Sequence, residues 1–227
     1  MKNFIKEVKL FILSNKILTL AFCIATIIFV SYEVAKDLPE IIPYGDFIFN
    51  LLSQLSLSFM GCFVFYIMQI YIPENKKKKI LKENLKSNLN YVLRTMLNPI
   101  WDVLRPYLDK IDDMLNLSEE EFKSIEIRIN LSEKIYLKPL SSKKEISNHE
   151  YIIIYIKEVE NKINKINMRF GVYLDVELTK LLDDIENSSY HRNFPKIDSG
   201  YPSNIYMPFF REYIDLCKKL KTYLENM

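Results

Sequence analysis

Between Phe47 and Ile72 the chain has no charged residue. Pro73-Glu74-Asn75 follow, and then four consecutive lysines, Lys76, Lys77, Lys78 and Lys79. A charge-free run of about 20 residues is long enough to cross a bilayer as a helix, and lysines directly after such a run mark its cytoplasmic end. This feature predicts a membrane protein whose residues beyond Lys79 lie in the cytoplasm. A helix from Phe47 to Ile72 would be about 39 Å long at ~1.5 Å per residue, so it must tilt or project into the headgroups.

A second apolar run precedes it. Ile17 to Tyr32 is also free of charge and falls somewhat short of a ~30 Å hydrocarbon core. Lys16 can snorkel, and Phe11 to Asn15 can supply another turn. A cleaved signal peptide is the competing reading, but Ser31-Tyr32-Glu33-Val34-Ala35 is a poor cleavage site. Lys2, Lys6, Lys9 and Lys16 against Glu7, with Phe4, Val8 and Phe11/Ile12 at helical spacing, predict an amphipathic surface helix over residues 1–16. The connector 36–46 carries Asp37, Glu40 and Asp46 and is broken by Pro39, Pro43 and Gly45, with Asp46 placed to cap the next helix. Basic flanks around an acidic connector put both termini inside. The expected order is a juxtamembrane segment 1–16, a span 17–35, the connector 36–46, a span 47–72 and a cytoplasmic helical domain 73–227.

The second span has a polar seam. Asn50, Gln54, Ser58 and Gly61 recur at four, four and three residues, which is one helical face. A weaker seam in the first span comprises Thr19, Cys23 and Thr26. Small and polar residues let membrane helices approach and hydrogen-bond. The seam is either internal packing of one hairpin or a face turned to other subunits or a wet pore, since amides are expensive against lipid. The four lysines fit membrane-surface attraction, with a specific lipid site or a channel mouth as alternatives.

From Ile80 the pattern becomes that of amphipathic helices. Leu85, Leu89, Val92 and Met96 recur at threes and fours, and Pro73 is expected only to bend a helix continuing from the span. Asn98-Pro99 predicts an end to that helix, and a second helix follows from Ile100 to Asn116, kinked near Pro106. Capping boxes at Ser118/Glu121 and Ser147/Glu150 start further helices. Ile125, Ile127, Ile129 and Leu131 alternate with polar residues at strand period, but the only nearby partner for such a strand is Ile135 to Leu137, so the expectation is a helix fading into a loop that holds Pro139 and Ser141 to Lys144. Gly171 is expected to close the helix from Ser147 as a C-terminal glycine, and Asp175 to cap the second arm of a helical hairpin. Asn187 to Ser203 reads as a loop. A last helix from about Ile205 to Asn226 carries Phe209, Tyr213, Leu216, Leu220 and Tyr223 on one face, with Pro208 in its first turn. The fold class is therefore all-α, with two transmembrane helices followed by a cytoplasmic antiparallel helical bundle.

Catalytic signals are sparse. A formal net charge of +2 on 227 residues argues against nucleic-acid binding. Cys23, Cys62 and Cys217 lack metal spacing and read as small apolar residues. His149 and His191 could meet across the hairpin, but two histidines without a third ligand make a weak metal site. Asp112-Asp113 and Asp183-Asp184 point to different faces. Thr179, Ser188 and Ser189 lack a nucleophile context, and no glycine-rich phosphate loop is present. Trp101 fits packing in the bundle or a place at headgroup level. No catalytic residue, metal or cofactor is expected. The expected partners are the lipid bilayer, further copies of the chain and a cytoplasmic protein.

The stretch Asp37–Lys79, with DLPEIIPYG before the second run and YIPENKKKK after it, resembles a group of uncharacterised bacterial two-span proteins. The resemblance implies a bacterial inner membrane and no established activity. The architecture is also similar to that of two-span effectors in bacterial antiphage systems. On these grounds the expected function is a non-enzymatic effector whose helical domain binds or senses a partner and whose spans self-associate to perturb the membrane. A passive anchor or scaffold is the alternative, and a membrane-bound enzyme ranks below both.

Overall fold

A computed structural model describes residues 2–38, 43–126, 128–136, 145–198, 200–201 and 203–227. It is predominantly helical and divides into two compact units, Met1–Leu81 and Lys82–Met227.

In the first unit, α1 (Lys2–Ser14), α2 (Lys16–Ala35) and α3 (Gly45–Phe65) are followed by a π-helical segment, Tyr66–Tyr71, and then by α4 (Ile72–Leu104). Two helical stretches, Lys16–Ala35 and Gly45–Leu104, are long and apolar enough to cross a membrane. Phe11 does not lengthen the first of these. Asn15 interrupts the helix at φ −120° and ψ 58°, and Phe11 remains in α1. There its buried ring packs against Phe63 and Tyr71 at centroid distances of 5.6 and 4.7 Å. This aromatic contact outweighs one more turn of span. Nor does Asp46 cap α3. The cap position is Tyr44, at a left-handed φ of 65°, and Asp46 lies in the first turn, where its charge suits the helix dipole.

The π segment ends two residues before Pro73. A proline has no N–H and its ring collides with the carbonyl four residues back. Widening the turn removes this conflict: the Ile72 N–H reaches back five residues to the Ile67 carbonyl. Ile67 and Ile72 consequently share one buried cluster with Phe11 and Phe63, although five residues separate them.

In the second unit, Asn98-Pro99 does not end a helix. Helix α4 runs through to Leu104, because Met96, Leu97, Ile100, Val103 and Leu104 are all buried. Burial of several such side chains, each worth about 1.5–3 kcal/mol, offsets the missing Thr95 bond. The break comes at Pro106 instead, before the short α5 (Ile111–Leu115). At α6 (Glu119–Glu126) the expected capping box is present, with the Ser118 N–H donating to Glu121 Oε2 at 2.9 Å and the Glu121 N–H to Ser118 Oγ at 3.3 Å.

Next, β1 (Lys134–Tyr136) pairs antiparallel with β2 (Glu145–Ser147). Helix α6 ends at Glu126 and Ile129 to Leu131 form no strand, so the alternating stretch is helix passing into loop; the strand lies further on, at Lys134–Tyr136, and pairs with Glu145–Ser147. Pro139 and Ser141 to Lys144 lie outside the described residues.

Helix α7 (Asn148–Phe170) starts at the Ser147/Glu150 capping box and buries Ile152, Ile156, Val159, Ile163 and Ile166. It runs opposite to α4, as two pairs of contacts show. Tyr151 Oη donates to Asp102 Oδ2 at 2.7 Å, and Tyr91 Oη donates to Glu158 Oε1 at 2.6 Å. Gly171 is not left-handed (φ −46°, ψ −42°). A 3₁₀ turn, Gly171–Tyr173, tightens the end of the helix instead and needs no such residue. Asp175 caps α8 (Val176–Glu186), accepting from the Leu178 N–H at 2.7 Å.

The stretch after Asn187 is more than a loop. It holds α9 (Ser189–Arg192) and a 3₁₀ turn, Phe194–Lys196, which place Tyr190, His191 and Phe194 in the core. Helix α10 (Ser203–Asn226) begins earlier than expected, so Pro208 lies past its first turn. Burial of Tyr206, Met207 and Phe210 on either side holds the helix there, and the buried face uses Phe210 and Leu224 rather than Phe209 and Tyr223.

Candidate functional site

The two long apolar helices pack along a seam different from the polar one in the sequence. On α3 and the π segment that continues it, the buried or α2-facing positions are Ser53, Ser56, Met60, Phe63 and Ile67, spaced three, four, three and four. Their α2 counterparts include Phe22, Ala25 and Thr26. The Phe22 and Phe63 rings stack at 4.3 Å, Ala25 is buried, and Thr26 Oγ1 lies 3.9 Å from Met60 Sδ. Serines at two positions of this seam allow close backbone approach.

The seam of Asn50, Gln54, Ser58 and Gly61 lies elsewhere on α3. At about 100° per residue its centre is roughly 135° around the helix from the α2 contact. Gln54, Ser58 and Gly61 are exposed and Asn50 is half-buried. A methyl built onto Gly61 would meet no atom within 4 Å. The two amides satisfy each other along the helix, Gln54 Nε2 donating to Asn50 Oδ1 at 3.1 Å. The face is therefore flat at Gly61 and polar at one end.

The weaker seam of Thr19, Cys23 and Thr26 lies on α2, where the Thr26 hydroxyl donates to the Phe22 carbonyl at 2.8 Å. Cys23 is exposed, Thr26 turns toward Met60, and the Thr19 hydroxyl donates to its own helix at the Asn15 carbonyl at 3.0 Å. Of the other cysteines, Cys62 is exposed and Cys217 is buried. Lys76, Lys77, Lys78 and Lys79 are exposed along the first turns of α4.

The two histidines border one aromatic cluster at different rings. The His149 ring lies 5.1 Å from that of Phe194. His191 is buried, with Nε2 2.8 Å from Tyr213 Oη, and Tyr213 stacks on Tyr190 at 4.1 Å. Burial pushes the His191 pKa down to about 4. Its Nδ1 is 3.4 Å from Glu160 Oε1, but that side chain is 42% exposed and too well solvated to offset the burial. Burial also pushes the Tyr190, Tyr213 and Cys217 groups well up, so all three stay protonated. Sequence reasoning missed this aromatic cluster; the signal was Tyr190 and Phe194 at helical spacing. Among the described residues, no group of three His, Cys, Asp or Glu side chains comes together to hold a metal.

No protein-family model, curated protein or solved structure matches the chain.

Proposed function

We propose that this chain is a non-enzymatic, two-span protein of a bacterial inner membrane with both termini in the cytoplasm. Its cytoplasmic antiparallel bundle holds or senses a protein partner. Its spans self-associate through the polar face of α3 and thereby perturb the membrane, in the manner of a defence effector. One observation carries this reading: Gln54, Ser58 and Gly61 face away from the α2 contact, so packing within one hairpin does not account for them. A flat, partly polar face inside a charge-free helix suits contact with a second copy. The Asn50–Gln54 bond favours the alternative of a passive anchor, because amides that satisfy each other tolerate lipid better than free ones.

The test is Gln54→Leu combined with Gly61→Leu. Gly61→Leu acts by bulk and Gln54→Leu by loss of a hydrogen bond. Polar contacts between membrane helices average about 0.6 kcal/mol, so self-association in detergent should weaken rather than vanish through Gln54→Leu alone. The pair together should lower the oligomer mass and relieve any growth defect from overexpression. An unchanged mass and unchanged toxicity would move the anchor reading ahead. If the wild type proves neither oligomeric nor toxic, the effector reading fails.

A further inference from the structure

We propose that the turn joining α7 to α8 is a membrane-surface anchor, which seats the second unit on an anionic lipid bilayer. This rests on the reading above that α2 and α3 span a membrane. Within nine residues of this turn, Met168, Val172, Tyr173 and Val176 are 85, 95, 51 and 86% exposed. Such a cluster of bare apolar side chains is unusual on a surface facing only water.

The position of the turn in its unit selects the occupant. Asp102 meets Tyr151, and Tyr91 meets Glu158, with Lys162 Nζ 4.1 Å from the Tyr91 ring centroid. Helix α7 thus advances toward the start of α4, and at ~1.5 Å per residue on both helices Val172 comes roughly level with Lys82. Tyr223 Oη donates to Asp175 Oδ2 at 2.7 Å, which brings the last turns of α10 to the same end. The bare turn is therefore at the end where the chain enters the unit, only three residues after Lys79.

Charge at this end also suits anionic headgroups. Lys82, Lys86, Lys165, Arg169, Lys180 and Lys221 outnumber Glu83, Asp175, Glu177 and Glu225, and Asp175 is occupied by the Leu178 N–H and Tyr223. Apolar insertion and a basic collar together give the two signals that stable surface anchoring needs. Tyrosine at such a tip favours the headgroup level.

The test uses the full chain carrying Trp101→Phe, reconstituted in vesicles of phosphatidylcholine with a minority of phosphatidylglycerol, the acyl chains brominated or not. Single tryptophans are introduced by Val172→Trp at the turn, Leu55→Trp in α3 and Ile154→Trp near the far end of α7. The expected result is that brominated lipid removes most of the emission from Val172→Trp and Leu55→Trp and little from Ile154→Trp. Quenching of Leu55→Trp without quenching of Val172→Trp overturns the anchor and leaves the spans standing. A blue-shifted but unquenched Val172→Trp means that protein covers the turn, which also overturns it. Equal quenching of Ile154→Trp and Val172→Trp removes any special role for the turn. An unquenched Leu55→Trp sinks the span reading and the anchor with it.

Discussion

The two units use the same helical spacing and treat their apolar side chains in opposite ways. In α7, α8 and α10, Ile163, Leu178 and Leu220 are fully buried. In α2 and α3, Ile17, Leu20, Ile27, Leu55 and Phe65 stand exposed, and the buried positions of α3 include two serines, Ser53 and Ser56. A unit in water hides its apolar residues. A hairpin in lipid gains nothing by hiding them and packs through small residues instead. On the membrane reading, the first unit follows the second of these rules and the second unit the first.

The sharpest way to break this contrast is to truncate one residue of each kind. Ile163→Ala should cost about 2–5 kcal/mol, read as a lower urea midpoint of the detergent-solubilised full chain by circular dichroism. Leu20→Ala in α2 should leave that transition unmoved. Equal losses would mean that α2 is packed in a dry protein core, and the contrast would collapse.

Acid should weaken the second unit. Unfolded, an imidazole titrates near 6.5, whereas burial pushes His191 in the folded chain down to about 4. The unfolded state therefore takes up the proton first as pH falls. Stability is full above the unfolded value and is lost as pH drops from there toward 4, by about 3 kcal/mol in all. His191→Phe should flatten this part of the pH profile. A wild-type profile already flat between those values would show that the ring is solvated.

Two smaller effects sharpen the picture. Ser147→Ala removes a bonded N-cap of α7 and should cost about 1 kcal/mol in the same assay. Arg211→Ala breaks the exposed pair with Glu119, whose carboxyl Arg211 holds below its usual range. Both partners are solvated, so no measurable loss of stability is expected.

Local chemistry was the most legible part of the sequence. The Ser118/Glu121, Ser147/Glu150 and Asp175 caps need only neighbours three residues away, and all three are present. Proline was misleading at Pro99, where burial of Met96, Leu97, Ile100 and Val103 keeps the helix going, and Pro208 lies further into its helix than its first-turn placement suggested. The aromatic cluster of Tyr190, His191 and Phe194 was hidden because Pro195, Gly200 and Pro202 suggested a loop. In α3, periodicity identified a polar face. It did not say that α2 would take the face of Ser53, Ser56 and Phe63 instead, because a single helix's pattern carries no information about where its neighbour lies.

The π-helical segment before Pro73 has a further consequence, which concerns phase. A wide turn of this kind accommodates one more residue than an α-helix would need for the same rotation. The α2-facing positions keep step at threes and fours along α3 and into the segment as far as Ile67. The next member, Ile72, comes a full five residues later yet returns to the same buried cluster. The segment thus behaves as an absorbed insertion, a one-residue slip confined to Tyr66–Tyr71. Deleting one residue there would let the helix become regular with Ile72 still on the same face, whereas forcing α geometry on the full segment would swing Ile72 and its neighbours about 100° around the axis. Ile72 would then leave Phe11, and the N-terminal helix would lose part of the surface that holds it.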